Sequence, residues 1–152
     1  MWSKLKYLIA IIFVLVIAIF MMNRVLNKNS QSYVRIGSLD IPVELAADAI
    51  TQQKGLSGRP SLDSQSGMLF IFNKPAVYTF WMPDMNFPID IIWINDNKVV
   101  DISANVSNNF DPKNPAFYEP SQPAQYVLEV NAGFSGKENI KVGDSVSFIN
   151  IK

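Results

Sequence analysis

Ile89-Asp90-Ile91-Ile92-Trp93-Ile94-Asn95-Asp96-Asn97-Lys98-Val99-Val100-Asp101-Ile102-Ser103-Ala104-Asn105-Val106 reads as a β-hairpin. The first arm is rich in β-branched and aromatic residues, and Asn95-Asp96-Asn97 supplies turn chemistry. The second arm alternates, with Val100, Ile102, Ala104 and Val106 set against Asp101, Ser103 and Asn105. Such a period of two predicts one face on a core and one on water. The first arm is apolar on both faces apart from Asp90, which predicts a central strand.

Outward from the hairpin, short apolar runs recur between turn signals. Tyr33–Ile36 and Leu39–Leu45 read as strands around Gly37-Ser38. Asp48 caps a short helix ending at Lys54, with Gly55 just beyond it. Gly67–Phe72, Val77–Met82, Gln125–Val130 and Ser145–Ile149 complete the set, and Asn73-Lys74-Pro75 punctuates the first of these. Ser107–Pro123, with Pro112, Pro115, Pro120 and Pro123, is a long loop, of the kind that serves as a lid, a binding surface or an ordered crossover. The expected fold is mainly β: a small antiparallel barrel or half-open sandwich with one short helix.

The amino terminus is of another kind. Residues 5–22 carry only Lys6 as a charge and no strong helix breaker. Roughly 18 residues at about 1.5 Å each give about 27 Å of helix, close to the apolar thickness of a bilayer. The expectation is a single transmembrane helix before the β-domain, with the lipid bilayer as partner of residues 5–22. Residues 1–24 form the anchor, 25–32 a tether and 33–152 the folded domain. A removed signal peptide is the alternative, but large residues, Met21-Met22-Asn23-Arg24, follow the run where a peptidase needs small ones. Lys4 and Lys6 place the amino terminus in the cytoplasm and the domain on the extracytoplasmic side.

Composition excludes several chemistries. The chain has no His and no Cys. Serine–histidine triads, cysteine nucleophiles and histidine-ligated zinc are therefore not available within it. Beyond Arg24 acids exceed bases by 13 to 10 without a basic cluster, so no nucleic-acid partner is expected. Met68, Met82 and Met85 suggest a thioether site for copper(I), but no His or Cys assists them; no metal and no cofactor is expected.

Five residues are candidates for a ligand site: Arg59, Trp81, Asp84, Asp90 and Glu129. Arg59, between Gly58 and Pro60, can clamp an anion or pair internally with Asp84, Asp90 or Glu129. Asp90 and Glu129 each interrupt an apolar strand, where a carboxylate is costly unless paired. They can organise the fold, or work as an acid–base pair in hydrolysis. Trp81 can stack on a sugar or peptide, or belong to the core with Phe70, Phe72, Phe80, Phe87 and Trp93.

Three blocks in order carry a family likeness: Gly67-Met68-Leu69-Phe70-Ile71-Phe72; Phe80-Trp81-Met82 through Phe87-Pro88-Ile89-Asp90-Ile91-Ile92-Trp93-Ile94; and Val127-Leu128-Glu129-Val130-Asn131-Ala132-Gly133-Phe134. With Gly55-Leu56, Arg59-Pro60-Ser61-Leu62 and Val142-Gly143-Asp144, the chain resembles the domain of unknown function 192 family over roughly residues 34–148. Members often carry Trp-Met-Lys-Asn-Thr where this chain has Trp81-Met82-Pro83-Asp84-Met85, so no role of that Lys transfers. The resemblance implies a compact β-rich domain, often secreted or membrane-tethered, with no established activity. The expectation is a membrane-anchored envelope module that binds a protein, peptide or carbohydrate-like ligand. The alternatives are a carboxylate-dependent hydrolase or lyase on an envelope polymer, and a structural or assembly factor without a small ligand.

Overall fold

The computed structural model describes residues 2–151, and within the first helix it describes the side chains of Lys6, Tyr7, Ile9 and residues 11–22. The chain divides into two units, Met1–Gln31 and Ser32–Lys152. The first is helix α1, Trp2–Ser30. Its described apolar side chains, from Tyr7 to Met22, are exposed. Among the described residues no helix is long and apolar enough to cross a membrane. Leu5, Leu8 and Ala10 of the expected span lie outside the described side chains. The stretch read as a tether is helical through Ser30.

The second unit is a seven-stranded half-barrel with two short helices. Its elements are β1 (Tyr33–Ile36), β2 (Leu39–Ala46), α2 (Ala49–Lys54), β3 (Gly67–Ala76), β4 (Ile89–Asn95), β5 (Lys98–Val106), β6 (Ala124–Asn131), α3 (Phe134–Lys137) and β7 (Val146–Ile149). Strand order is β5-β4-β6-β3-β2-β1-β7. The two edge strands approach at one end, where Val146 N donates to Asn97 O at 2.7 Å and Gly143 N to Val99 O at 2.8 Å.

The expectation of an antiparallel sheet needs one correction. β2 and β3 run parallel, Val43 beside Gly67 through Ala46 beside Phe70. A parallel pair needs a crossover, and α2 with the turns after it supplies one. Val77–Met82 is not a strand; only Phe80 pairs, by two bonds of 2.8 Å with Tyr118. Tyr78, Phe80 and Met82 pack over the sheet, with Met82 buried, while Val77 and Trp81 are exposed. Asn73-Lys74-Pro75 does not end its strand, which continues to Ala76. α3, a single turn, carries no periodic signal in the sequence.

The hairpin forms at the expected residues. Asp96 and Asn97 have φ of 47° and 58°, the paired left-handed conformation that matches the twist of the flanking strands. The alternation of β5 breaks twice: Trp93 faces Asp101 while Ile94 faces Val99, which leaves Val100 as an extra residue near its start, and a second break lies near its end. Ile89 faces Val106 while Ile91 faces Ser103, so β5 carries an extra residue and Asn105 takes φ 54°. Ala104 is exposed, and Ser103, directly opposite Ile91, lies on the same face as Trp93, whose Nε1 donates to the Ser103 Oγ at 3.1 Å.

Both faces of the sheet are covered. One core holds Val34, Ile41, Leu69, Ile92, Ile94, Leu128 and Val130, capped by Phe134 and Ile140. The other holds Met68, Phe70, Ile89, Ile91, Trp93 and Val127 under Leu56, Met82 and Met85. β4 contributes to both, which is why its sequence is apolar throughout.

Candidate functional site

The two carboxylates that interrupt the central strands lie on opposite faces. In the β4–β6 ladder Ile91 is the direct partner of Glu129, and Asp90 that of Val130. Glu129 thus shares a face with Ile91, and Asp90 shares the other with Val130. An acid–base pair made of these two is ruled out by the register, and that expectation is corrected here.

Asp90 is fully buried and fully engaged. Oδ1 accepts from Asn105 N at 2.7 Å and Gly133 N at 3.0 Å; Oδ2 accepts from Ser135 N at 2.8 Å and Ser135 Oγ at 2.6 Å. The Asn105 donor is the N–H freed by the β5 bulge. Burial pushes the carboxyl up, but the bonds from Asn105, Ser135 and Gly133 outweigh it and hold Asp90 below the usual carboxylate range. Asp90 ties the bulge to the entry of α3.

Glu129 is the opposite case. It is 6% exposed, and its Oε2 is buried without a hydrogen-bond partner among the described residues. A row crosses the sheet here on one face: Glu44 beside Met68, Met68 beside Glu129, Glu129 beside Ile91. Arg59 engages the far end of that row, not Asp84, Asp90 or Glu129. Its guanidinium holds Glu44 in two parallel bonds of 2.7 and 2.8 Å. Burial pushes the Glu129 carboxyl up to about 8, against a smaller downward pull from Arg59. At neutral pH the group is mostly a neutral acid.

Glu129 lines a cavity of about 510 Å³. Its other walls come from α2 and the turn after it (Gln52 to Ser57), from Phe70 and Phe72 of β3, and from the segment Tyr78 to Met85. Two bonds clip that segment to the turn: Gly58 N to Asp84 O at 2.9 Å and Ser57 Oγ to Pro83 O at 2.8 Å. Gly55 has φ 49°, and a methyl built on it would stand 3.1 Å from Phe70 Cζ and 3.9 Å from Glu129 Oε2. The absence of a side chain at residue 55 keeps open the space beside the carboxyl.

Trp81 and Asp84 line the same cavity and are both exposed. Trp81 meets Phe110 edge-on at 5.6 Å and stacks with Phe117 at 6.5 Å, so the Pro-rich loop reaches the cavity mouth. That loop is an ordered crossover, held by Phe80–Tyr118 pairing and by Ser121 N donating to Asp101 Oδ2 at 2.7 Å. Of the five candidates, the cavity gathers Trp81, Asp84 and Glu129; Arg59 stands behind it and Asp90 on the far face. Sequence reasoning missed Gly55 and Glu44. The helix-ending position of Gly55 was visible, but its place beside Glu129 depends on the crossover.

No curated protein matches the chain. Among solved structures, a protein of unknown function from Novosphingobium aromaticivorans DSM 12444 is 34% identical with a TM-score of 0.67, over 77% of this chain and 83% of that one. A protein from Sinorhizobium meliloti 1021, named there as a candidate transcription regulator, is 29% identical with a TM-score of 0.71, over 81% of this chain and 97% of that one. The model of the DUF192 family, described as "Uncharacterized ACR", matches residues 32–148, which takes in all of the half-barrel but Ile149, and the chain belongs to that family.

Proposed function

We propose that this protein is a membrane-tethered, extracytoplasmic binding module whose cavity takes a small ligand at Glu129. The Oε2 oxygen, buried and without a hydrogen-bond partner among the described residues, carries the reading. A buried polar oxygen left without a donor costs about 1–3 kcal/mol, and natural folds rarely keep one without use. Glu129 lines a cavity of ligand size, walled by apolar and aromatic side chains together with Gln52, Gln53, Lys54, Ser57, Thr79 and Asp84. A body acting only as a scaffold gives that arrangement no role. Trp81, more than half exposed at the mouth, offers a ring for stacking. The tether rests on the sequence: residues 5–22 have the length and apolarity of a span, and the Lys4 and Lys6 bias sends the half-barrel outward.

Both parts are testable on the full chain. The protein is expected to stay with membranes through an alkaline carbonate wash; release of the intact chain into buffer overturns the tether. Met82 and Met85 line the cavity, so their methyl NMR signals report on it. Titration with butan-1-ol, n-butylamine and methyl glucoside is expected to move those two signals with at least one probe. Failure of all three to move either signal overturns the binding role.

A further inference from the structure

Resting on that binding role, we infer that the cavity accepts a protonated amine carried on a slender apolar body, with the ammonium seated against Glu129. The hydrogen-bond inventory of the walls points there. Side-chain donors around the cavity are already engaged: Gln52 Nε2 on Ala46 O and Ile71 O and Ser57 Oγ on Pro83 O, all half-buried, and on the exposed side Tyr78 OH on Lys74 O and Thr79 Oγ1 on Glu119 Oε1. What these groups leave open is lone pairs. Once ionised, Glu129 adds at Oε2 an acceptor with no donor among the described residues. A cavity left rich in acceptors calls for a ligand that donates.

A sugar fits that inventory poorly, because each hydroxyl both donates and accepts, and the uncommitted side-chain donors, Gln53, Lys54 and Trp81 Nε1, belong to exposed residues. An alkylammonium donates three times and accepts nothing. Phe70, Phe72, Tyr78, Phe80 and Trp81 line the same space, and the faces of such rings attract cations. The charges around Glu129 are few. Arg59, held by Glu44, lies behind it; Lys54 from α2 and Asp84 from the facing segment line the cavity, both exposed; Met68 and Ile91, its neighbours in the sheet, are uncharged. A buried acid facing a cation without its own counter-ion is thereby paired, and its proton leaves to solvent as the amine arrives.

That exchange fixes the test. n-Butylamine and butan-1-ol share a skeleton and differ in charge, and the alkylamine stays protonated at about pH 9, as a lysine does. Each is titrated into the full-length protein in detergent micelles at about pH 6 and about pH 9, with Met82 and Met85 methyl signals as readout. The amine is expected to bind about tenfold or more tightly at the higher pH, and more tightly there than the alcohol. Glu129→Gln, which keeps shape and removes charge, is expected to erase the pH dependence. Alcohol binding equal to or tighter than amine binding at the higher pH overturns the amine assignment and leaves the binding role standing. Amine affinity that falls with pH does the same. If neither probe moves Met82 or Met85 at either pH, the assignment and the binding role fall together.

Discussion

Asp90 and Glu129 stand one strand apart in the same sheet, both buried, and the fold treats them in opposite ways. Asp90 receives four hydrogen bonds from three residues, and its charge is held. Glu129 Oε2 receives none among the described residues, and its charge is suppressed. What separates them is the neighbourhood, not the residue class. Asp90 meets the backbone N–H groups of a bulge and of a helix entry, which point inward because strand geometry failed there. Glu129 sits within a regular ladder, whose N–H groups bond strand to strand and leave nothing for a side chain. Two intruding carboxylates thus mark two different things: one holds the fold together, the other weakens it beside a cavity.

The comparison breaks most readily at Asp90. Asp90→Ala strands the N–H groups of Asn105, Gly133 and Ser135, and the Ser135 hydroxyl. The expected loss is on the order of 3–6 kcal/mol in urea unfolding, enough to unfold a domain of ordinary stability. A loss below about 1 kcal/mol would mean that Asp90 does not organise the fold.

Glu129 gives the next largest effect, with the opposite sign. The unfolded chain releases this proton near 4.5, while the folded chain keeps it to about 8. Between those values the native state binds the extra proton, so stability falls by about 1.4 kcal/mol per pH unit as pH rises. Above about 8 the loss is complete. Glu129→Gln is expected to flatten that slope and to stabilise the protein at alkaline pH by several kcal/mol, on the order of 3–5. Asp90 acts at the other end: its lowered pKa contributes stability above the carboxylate range, lost as pH falls through its folded value. An unchanged slope in Glu129→Gln would dissolve the contrast between the two residues.

Gly55→Ala sharpens the picture at the cavity wall. A left-handed φ and a 3.1 Å approach to Phe70 predict a cost of about 1–2 kcal/mol, measured by thermal unfolding, together with weaker probe binding. Arg59→Ala is the smallest in stability. Its pair with the largely exposed Glu44 is worth up to about 1 kcal/mol. Removing its positive charge is expected to move the Glu129 titration further upward, read by NMR; a downward move would place the guanidinium's influence elsewhere.

Much of the half-barrel was legible in the sequence, because strands and tight turns write short local patterns. The Asn95–Asn97 turn, the Asp48 cap and the two-faced apolar run of β4 all lie within a few residues of their causes. The parallel β2–β3 pair was not legible, since the direction of pairing depends on where α2 and its turns deliver the chain. Val77–Met82 looks like a strand because a loop that covers a core needs the same apolar residues. Val100 and Ile102, which the alternation sets on one face of β5, pack in different cores because an extra residue lies between Val99 and Asp101; the second irregularity, at Asn105, is held by Asp90 from another strand. At the site, Trp81, Asp84 and Glu129 were named as candidates, but the separation of Asp90 from Glu129 follows from inter-strand register, which no single strand records. For the same reason Glu44 was invisible as the partner of Arg59.

The most direct test of the account is the ionisation of Glu129 in the folded, ligand-free protein, followed through the side-chain carboxyl carbon by NMR. A midpoint at about 8 is the predicted result. A midpoint in the ordinary carboxylate range, near 4.5, would mean that the buried oxygen has a partner or open water after all, and the reading of this cavity as a site kept waiting for a donor would be wrong.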